Sequence, residues 1–152
     1  MIGIDIVEIN RLEKLITKYG MKFLDRIFTK DEIEYCENNP IHKYARYAGR
    51  FVAKEAVAKA LGQGIREISF KEIEVVKDEF GKPDIELHGR AASLANYMKV
   101  VDIYICISHC REYAVGNALL EYEFDEEDFD QGGDVEIFYN DEDENEDNES
   151  NN

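Results

Sequence analysis

The run between Pro40 and Gly64 constrains this chain more than any other stretch. It contains no proline, and its second half, GRFVAKEAVAKALGQG over 49–64, is rich in alanine. Proline is tolerated in the first turn of a helix and glycine is favoured just past the end, so the spacing predicts one long helix that starts just after Pro40 and stops near Gly64. Ala48, Val52, Ala56 and Ala60 recur every fourth residue and form an apolar stripe that would seat it. Phe51, Glu55 and Lys59 form the adjacent stripe. An acid and a base therefore lie one turn apart beside an aromatic ring. A solvent-facing Glu–Lys pair, which contributes a few tenths of a kcal/mol, has the same pattern.

The elements on either side set the fold class. Ile2 to Ile9 alternates and predicts a strand, with Ile2, Ile4 and Ile6 on one face and Gly3, Asp5 and Val7 on the other. Asp5 is out of place there. An aspartate inside an apolar strand needs a cation or hydrogen-bond donors, unless it lies at a strand end in water or bonds to a nearby turn. Asn10 is placed to cap a short helix through Leu12, Leu15, Ile16 and Tyr19, which Gly20 ends. Its other face carries Arg11, Lys14 and Lys18, with Lys22 and Arg26 beyond. A second short helix holds Phe23, Leu24, Ile27 and Phe28. Thr29-Lys-Asp-Glu32 is a capping-box pattern that opens a third helix, running to about Asn38.

After Gly64 the period changes. Alternation over 69–77 and 83–88 around Asp78-Glu-Phe-Gly-Lys-Pro83 predicts a β-hairpin. A helix over Gly89–Lys99 follows, then strands Val100–Ser108 and Tyr113–Tyr122 around a His109–Glu112 turn. The expectation is an α+β single domain: an N-terminal strand, several helices including one long one, and antiparallel hairpins.

Charge divides the chain in two. All 18 Lys and Arg residues lie in 1–122 with 19 of the 34 acidic ones; the other 15 acidic residues fall in 123–152. The net charge of −16 therefore comes from the second segment. We expect a near-neutral domain over 1–122 and an acidic, disordered tail over 123–152, in which Asp134–Tyr139 could add an edge strand. This balance argues against general binding to nucleic acid or an anionic membrane. No apolar run approaches the length of a membrane span and no signal peptide is evident, so a cytoplasmic location is expected. Cys36, Cys106 and Cys110 give no disulfide framework or zinc spacing and read as ordinary thiols.

Asp5, Glu55 with Lys59, and His109 then need a common explanation. Two carboxylates from separate elements suit Mg²⁺, which prefers oxygen ligands and is often held by one or two carboxylates plus substrate phosphates. No Walker sequence is present, and Gly62-Gln-Gly64 reads as a plain helix stop.

GIDIVEI at the start, Phe28-Thr-Lys-Asp-Glu32, GRFVAKEAVAKALGQG, the Gly81-Lys-Pro83 turn and ISHCREYA occur in the order of one family. Over about residues 1–122 the chain resembles the holo-[acyl-carrier-protein] synthases, the small bacterial class of 4′-phosphopantetheinyl transferases. The resemblance implies a phosphopantetheinyl-transferase-like fold and transfer of 4′-phosphopantetheine from coenzyme A to a serine of apo acyl carrier protein, in support of fatty acid biosynthesis. Adenosine 3′,5′-bisphosphate would be released. It implies that Asp5 and Glu55 bind Mg²⁺ on the pyrophosphate, that Lys59 lies near the phosphates, and that His109 lies near the coenzyme. It implies homotrimers with active sites between subunits, and contact between the first helix and the carrier. Acyl carrier proteins are acidic, so Arg11, Lys18 and Arg26 are the expected docking residues. Glu55 or a metal-bound water would take the serine proton. The family usually stops near the last strand, so the acidic segment is an addition; it either solubilises the protein or mimics the carrier. A binding-only trimer and an unrelated Mg²⁺-dependent phosphotransferase acting on nucleotides are the other classes these residues permit.

Overall fold

The computed structural model describes residues 1–62 and 68–123. The acidic segment, with Asp134–Tyr139, and the glycine stop at Gly64 lie outside them. Among the described residues, five strands and five α-helices follow one another as β1 (Ile2–Glu8), α1 (Ile9–Tyr19), α2 (Met21–Ile27), α3 (Lys30–Glu37), α4 (Lys43–Ala60), β2 (Ile73–Lys77), β3 (Pro83–Leu87), α5 (Gly89–Tyr97), β4 (Val100–His109) and β5 (Tyr113–Tyr122). The fold is α+β. The three strands β1, β5 and β4 form an antiparallel sheet with β5 in the middle, and β2 pairs with β3 in a separate hairpin.

The long helix is the axis of the fold. Ala48, Val52, Ala56 and Ala60 are fully buried, as their four-residue period requires. Small side chains let α4 lie directly on the sheet over β5 and β1. At Gly3 and Gly116 no side chain intervenes at all. An added Cβ at Gly3 would overlap the Ala56 carbonyl oxygen, and one at Gly116 would come within 2.9 Å of the Val52 carbonyl carbon. Backbone therefore packs on backbone, and nothing flexible can move aside. Gly3→Ala is expected to lower the unfolding free energy by about 3 kcal/mol, read from the urea midpoint; a loss below about 1 kcal/mol would contradict this packing.

Alternation along β1 holds, but its apolar row faces away from the helix. Ile2, Ile4 and Ile6 are 75%, 63% and 63% exposed, while Gly3, Asp5 and Val7 face α4. Register continues the outer row across the sheet, Ile2 opposite Leu119 and Leu119 opposite Tyr104.

Several boundaries differ from expectation for local reasons. Helix α1 begins at Ile9, one residue before Asn10, and its N-cap is Glu8 without a side-chain cap. The Ile9 amide donates to the Glu112 carbonyl, so sheet pairing carries the chain straight into the helix. The capping box is present at Thr29, with Glu32 at its third position. Residues Phe70–Glu72 form a 3₁₀ turn rather than the start of β2, because Ser69 and Glu72 make a second capping box. Helix α4 starts at Lys43, three residues after Pro40. All three cysteines are free: Cys36 is buried, and Cys106 and Cys110 are exposed. Among the described residues, no helix is long and apolar enough to cross a membrane.

Candidate active site

Because side chains alternate along β1, Asp5 faces the helix that carries Glu55 and Lys59. Asp5 and Glu55 line one cleft, of about 410 Å³, with Arg11, Phe23, Phe51 and Phe70. Phe51 and Phe70 stack at 5.4 Å between centroids and form its apolar wall. Lys59 pairs with Asp5 rather than with Glu55 one turn away. Its Nζ lies 2.8 Å from Asp5 Oδ1 and donates a second bond of 2.9 Å to the Ile4 carbonyl oxygen. Asp5 thus lies mid-strand with a partner cation, and neither a strand-end position nor a turn bond accounts for it.

The Glu55 carboxyl is pushed above its ordinary pKa. Burial is the main cause, the charge of Asp5 adds to it, and Lys59 opposes both. Two carboxylates that repel each other in a half-buried cleft are a donor set that fits a hard divalent ion. Arg11 brings the exposed basic face of α1 to the rim of the cleft, and Arg11, Lys14 and Lys18 also line a shallow groove along α1. Arg26 is exposed on α2 and borders neither.

His109 lies elsewhere. It ends β4 and borders a second cavity of about 410 Å³ with His42, Arg46, Arg50, Lys77 and Pro83. The register explains the separation. Asp5 opposes Gly116 and Gly116 opposes Ile107, so the two cavities open at opposite edges of one three-stranded sheet. Those edges are two strand spacings apart, roughly 10 Å, and α4 lies between them. Asp5, Glu55 and Lys59 come together in one chain; His109 does not join them.

The second cavity is strongly basic. Arg50, Lys77 and Arg46 surround the Tyr35 ring, with cation-to-centroid distances of 3.7, 4.2 and 4.5 Å. Burial raises the Tyr35 pKa, but the Lys77 hydrogen bond and the three cations outweigh it, leaving the phenol below its ordinary value. Arg50 is almost fully buried, and its Nε has no hydrogen-bond partner among the described residues.

The sequence reading missed a buried ion pair beside the cleft. Lys54 and Glu32 are 0% and 1% exposed and 2.6 Å apart. Lys54 donates to the carbonyls of Ile27 and Phe70, both of which border the cleft. Glu32 accepts from the backbone amides of Thr29 and Val75. Burial lowers the Lys54 pKa and Glu32 opposes that shift. The signal was present, since Lys54 shares a helical row with Tyr47, Val57 and Leu61, all apolar. A second missed group is Glu74, Glu86 and His88 on the β2–β3 hairpin, whose ligand atoms lie within 4.8 Å of one another. Glu74 is already engaged by the Thr29 hydroxyl at 2.6 Å and His88 at 2.8 Å.

The model of the 4′-phosphopantetheinyl transferase superfamily matches residues 1–118. A holo-[acyl-carrier-protein] synthase of Ruminiclostridium cellulolyticum is 45% identical over 121 residues, 79% of this chain and 90% of that protein. One of Alkaliphilus oremlandii is 49% identical over 119 residues, covering 78% and 95%. The crystal structure of the Helicobacter pylori synthase in complex with coenzyme A superposes with a TM-score of 0.70 at 36% identity, over 80% of this chain and all of that one. The Bacillus anthracis synthase, in complex with CoA (3′,5′-ADP), gives a TM-score of 0.66 at 38% identity, covering 80% and 96%.

Proposed function

This chain belongs to the 4′-phosphopantetheinyl transferase superfamily, among its holo-[acyl-carrier-protein] synthases, and on that premise we propose how its residues divide the work. The enzyme transfers 4′-phosphopantetheine from coenzyme A to a serine of apo acyl carrier protein and releases adenosine 3′,5′-bisphosphate. The observation that carries this reading is that Asp5 and Glu55 share one cleft, with Lys59 paired to Asp5.

In the proposed arrangement Asp5 and Glu55 hold Mg²⁺. The ion supplies charge neutralisation on the diphosphate of the coenzyme. Lys59 offers an ammonium to the same phosphates, where negative charge builds on the leaving bisphosphate. Glu55 or a metal-bound water would accept the serine proton. The apolar wall of Phe51 and Phe70 keeps water from competing with the serine.

The basic cavity at His109 suits the nucleotide end of the coenzyme. An anion there would give the buried Arg50 Nε the partner it lacks. Both halves are needed, yet they open at opposite edges of one sheet. A homotrimer in which one subunit's carboxylate cleft faces its neighbour's His109 cavity would unite them. The exposed row of Ile2, Leu119 and Tyr104 offers an apolar surface for that contact. Arg11 and Lys18 are the proposed docking residues for the acidic carrier, with Arg26 further out on α2. Lys18→Glu, outside the carboxylate cleft, is expected to raise KM for the carrier several-fold at low salt with KM for coenzyme A unchanged; equal shifts in both would remove the docking role. The setting is taken to be the cytoplasm.

The test is intact-protein mass spectrometry of apo acyl carrier protein incubated with the enzyme, coenzyme A and Mg²⁺. A gain of one phosphopantetheine group, lost with EDTA and with Asp5→Asn, is the expected result. Transfer that persists in EDTA would refute the metal assignment, and no transfer would refute the reaction.

A further inference from the structure

The ion pair between Lys59 and Asp5 bears on how the site is assembled. This inference rests on the reading above that Asp5 and Glu55 are ligands for a divalent cation. Lys59 makes two short contacts on β1, 2.8 Å to Asp5 Oδ1 and 2.9 Å to the Ile4 carbonyl oxygen. Asp5 is 17% exposed and Lys59 47%. The ammonium therefore occupies, in the free protein, the carboxylate that the divalent ion also requires. We propose that Lys59 is the resident counter-cation of Asp5, and that a divalent ion gains this carboxylate only in company with a diphosphate that takes Lys59 in exchange.

Charge sets the direction. Asp5 and Glu55 bring two negative charges and Lys59 one positive. A divalent ion entering beside Lys59 meets a like charge at close range, which disfavours its binding. A diphosphate removes that conflict by giving the ammonium another anion. Lysine suits such an exchange because it is a point charge on a flexible stem, here half-exposed. The coupling must run both ways: whatever draws Lys59 off Asp5 tightens the ion, and the ion equally tightens the diphosphate.

The experiment is a Mn²⁺ titration of the full chain, following free Mn²⁺ by electron paramagnetic resonance. Asp5→Asn serves as the baseline, because the acidic residues of 123–152 and the Glu74–Glu86–His88 group offer competing carboxylate and imidazole ligands; only Asp5-dependent binding is scored. Without coenzyme, Lys59→Met is expected to bind Mn²⁺ about tenfold tighter than wild type, and Lys59→Arg, which keeps the charge, about as weakly as wild type. Coenzyme A should tighten Mn²⁺ on the wild type by a similar factor and on Lys59→Met by much less. Adenosine 3′,5′-bisphosphate, which lacks the diphosphate, should have little effect on either. Equal Mn²⁺ affinity in wild type and Lys59→Met would overturn the exchange and leave the metal site standing. No Asp5-dependent binding in any variant, even with coenzyme A, would overturn both.

Discussion

Glu55→Gln is expected to fold normally and to transfer phosphopantetheine about 10²–10³-fold more slowly than wild type. The two halves of this result have one physical origin. In the folded chain the Glu55 carboxyl is held above its ordinary pKa, by burial first and by the charge of Asp5 second, with Lys59 in opposition. A raised carboxyl favours the folded state while protonated, and that contribution is lost as pH climbs from the unfolded pKa through the folded one. The amide carries no charge to bury beside Asp5. The variant should therefore match or slightly exceed the wild type in stability at pH 7, and its stability should vary less with pH across the carboxylate range. Activity needs the charge that stability does not. The neutral amide is a poor ligand for a hard cation and cannot take the serine proton. Asp5→Asn/Glu55→Gln should be no slower than the worse single variant, because the two carboxylates act as a unit. Rates follow from mass-resolved time courses and stability from urea titrations at several pH values. A Glu55→Gln rate within threefold of wild type would remove the residue from the chemistry.

Lys54→Met is expected to act in the opposite sense, lowering the unfolding free energy by about 3–5 kcal/mol. It strips the cation from a fully buried Glu32 and removes the ammonium that donates to the Ile27 and Phe70 carbonyls, of which Phe70 keeps the Ile73 amide. Adding Glu32→Gln should recover about 1–2 kcal/mol. The charge is gone, but an amide oxygen remains to accept from the Thr29 or Val75 amide. Chemical denaturation of the two single variants and the double variant gives the cycle. A Lys54→Met loss below 1 kcal/mol would mean that the pair is water-stabilised rather than sealed. The variants also bear on function, since Ile27 and Phe70 border the cleft beside Glu55.

The elements that could be read from the chain were those with a strong local period or a two-residue signature. Helix α4 declared itself through its four-residue alanine spacing, the start of α3 through Thr29 and Glu32, and the hairpin through the turn at Gly81-Lys-Pro83. Ser69 and Glu72 carried the same capping pattern as Thr29 and Glu32, yet lay inside an alternating run and were read as strand. The cap at Asn10 was misplaced because a sheet hydrogen bond, from the Ile9 amide to Glu112, sets where α1 begins. Alternation in β1 fixed which residues share a face but not which face is covered; the row with glycine and aspartate, not the row of isoleucines, is the one under the helix. The carboxylates and Lys59 were legible because two motifs point to them. The distance from His109 to that group was not, since it depends on β5 lying between β1 and β4. Tyr35 and its three cations come from α3, α4 and β2, and no short window of sequence contains them all.

The glycine contact between β1 and α4 also bears on how such an enzyme can diverge. Asp5 stands two residues from Gly3, and Glu55 stands beside Ala56, whose carbonyl Gly3 touches. The gap between the two acids is therefore gauged by peptide atoms and not by any side chain of the interior. Exchanges of leucine, isoleucine or valine elsewhere can change how firmly the domain holds together without resetting that gap. The interior is free to drift over generations while the chemistry stays in calibration, provided that position 3 remains glycine.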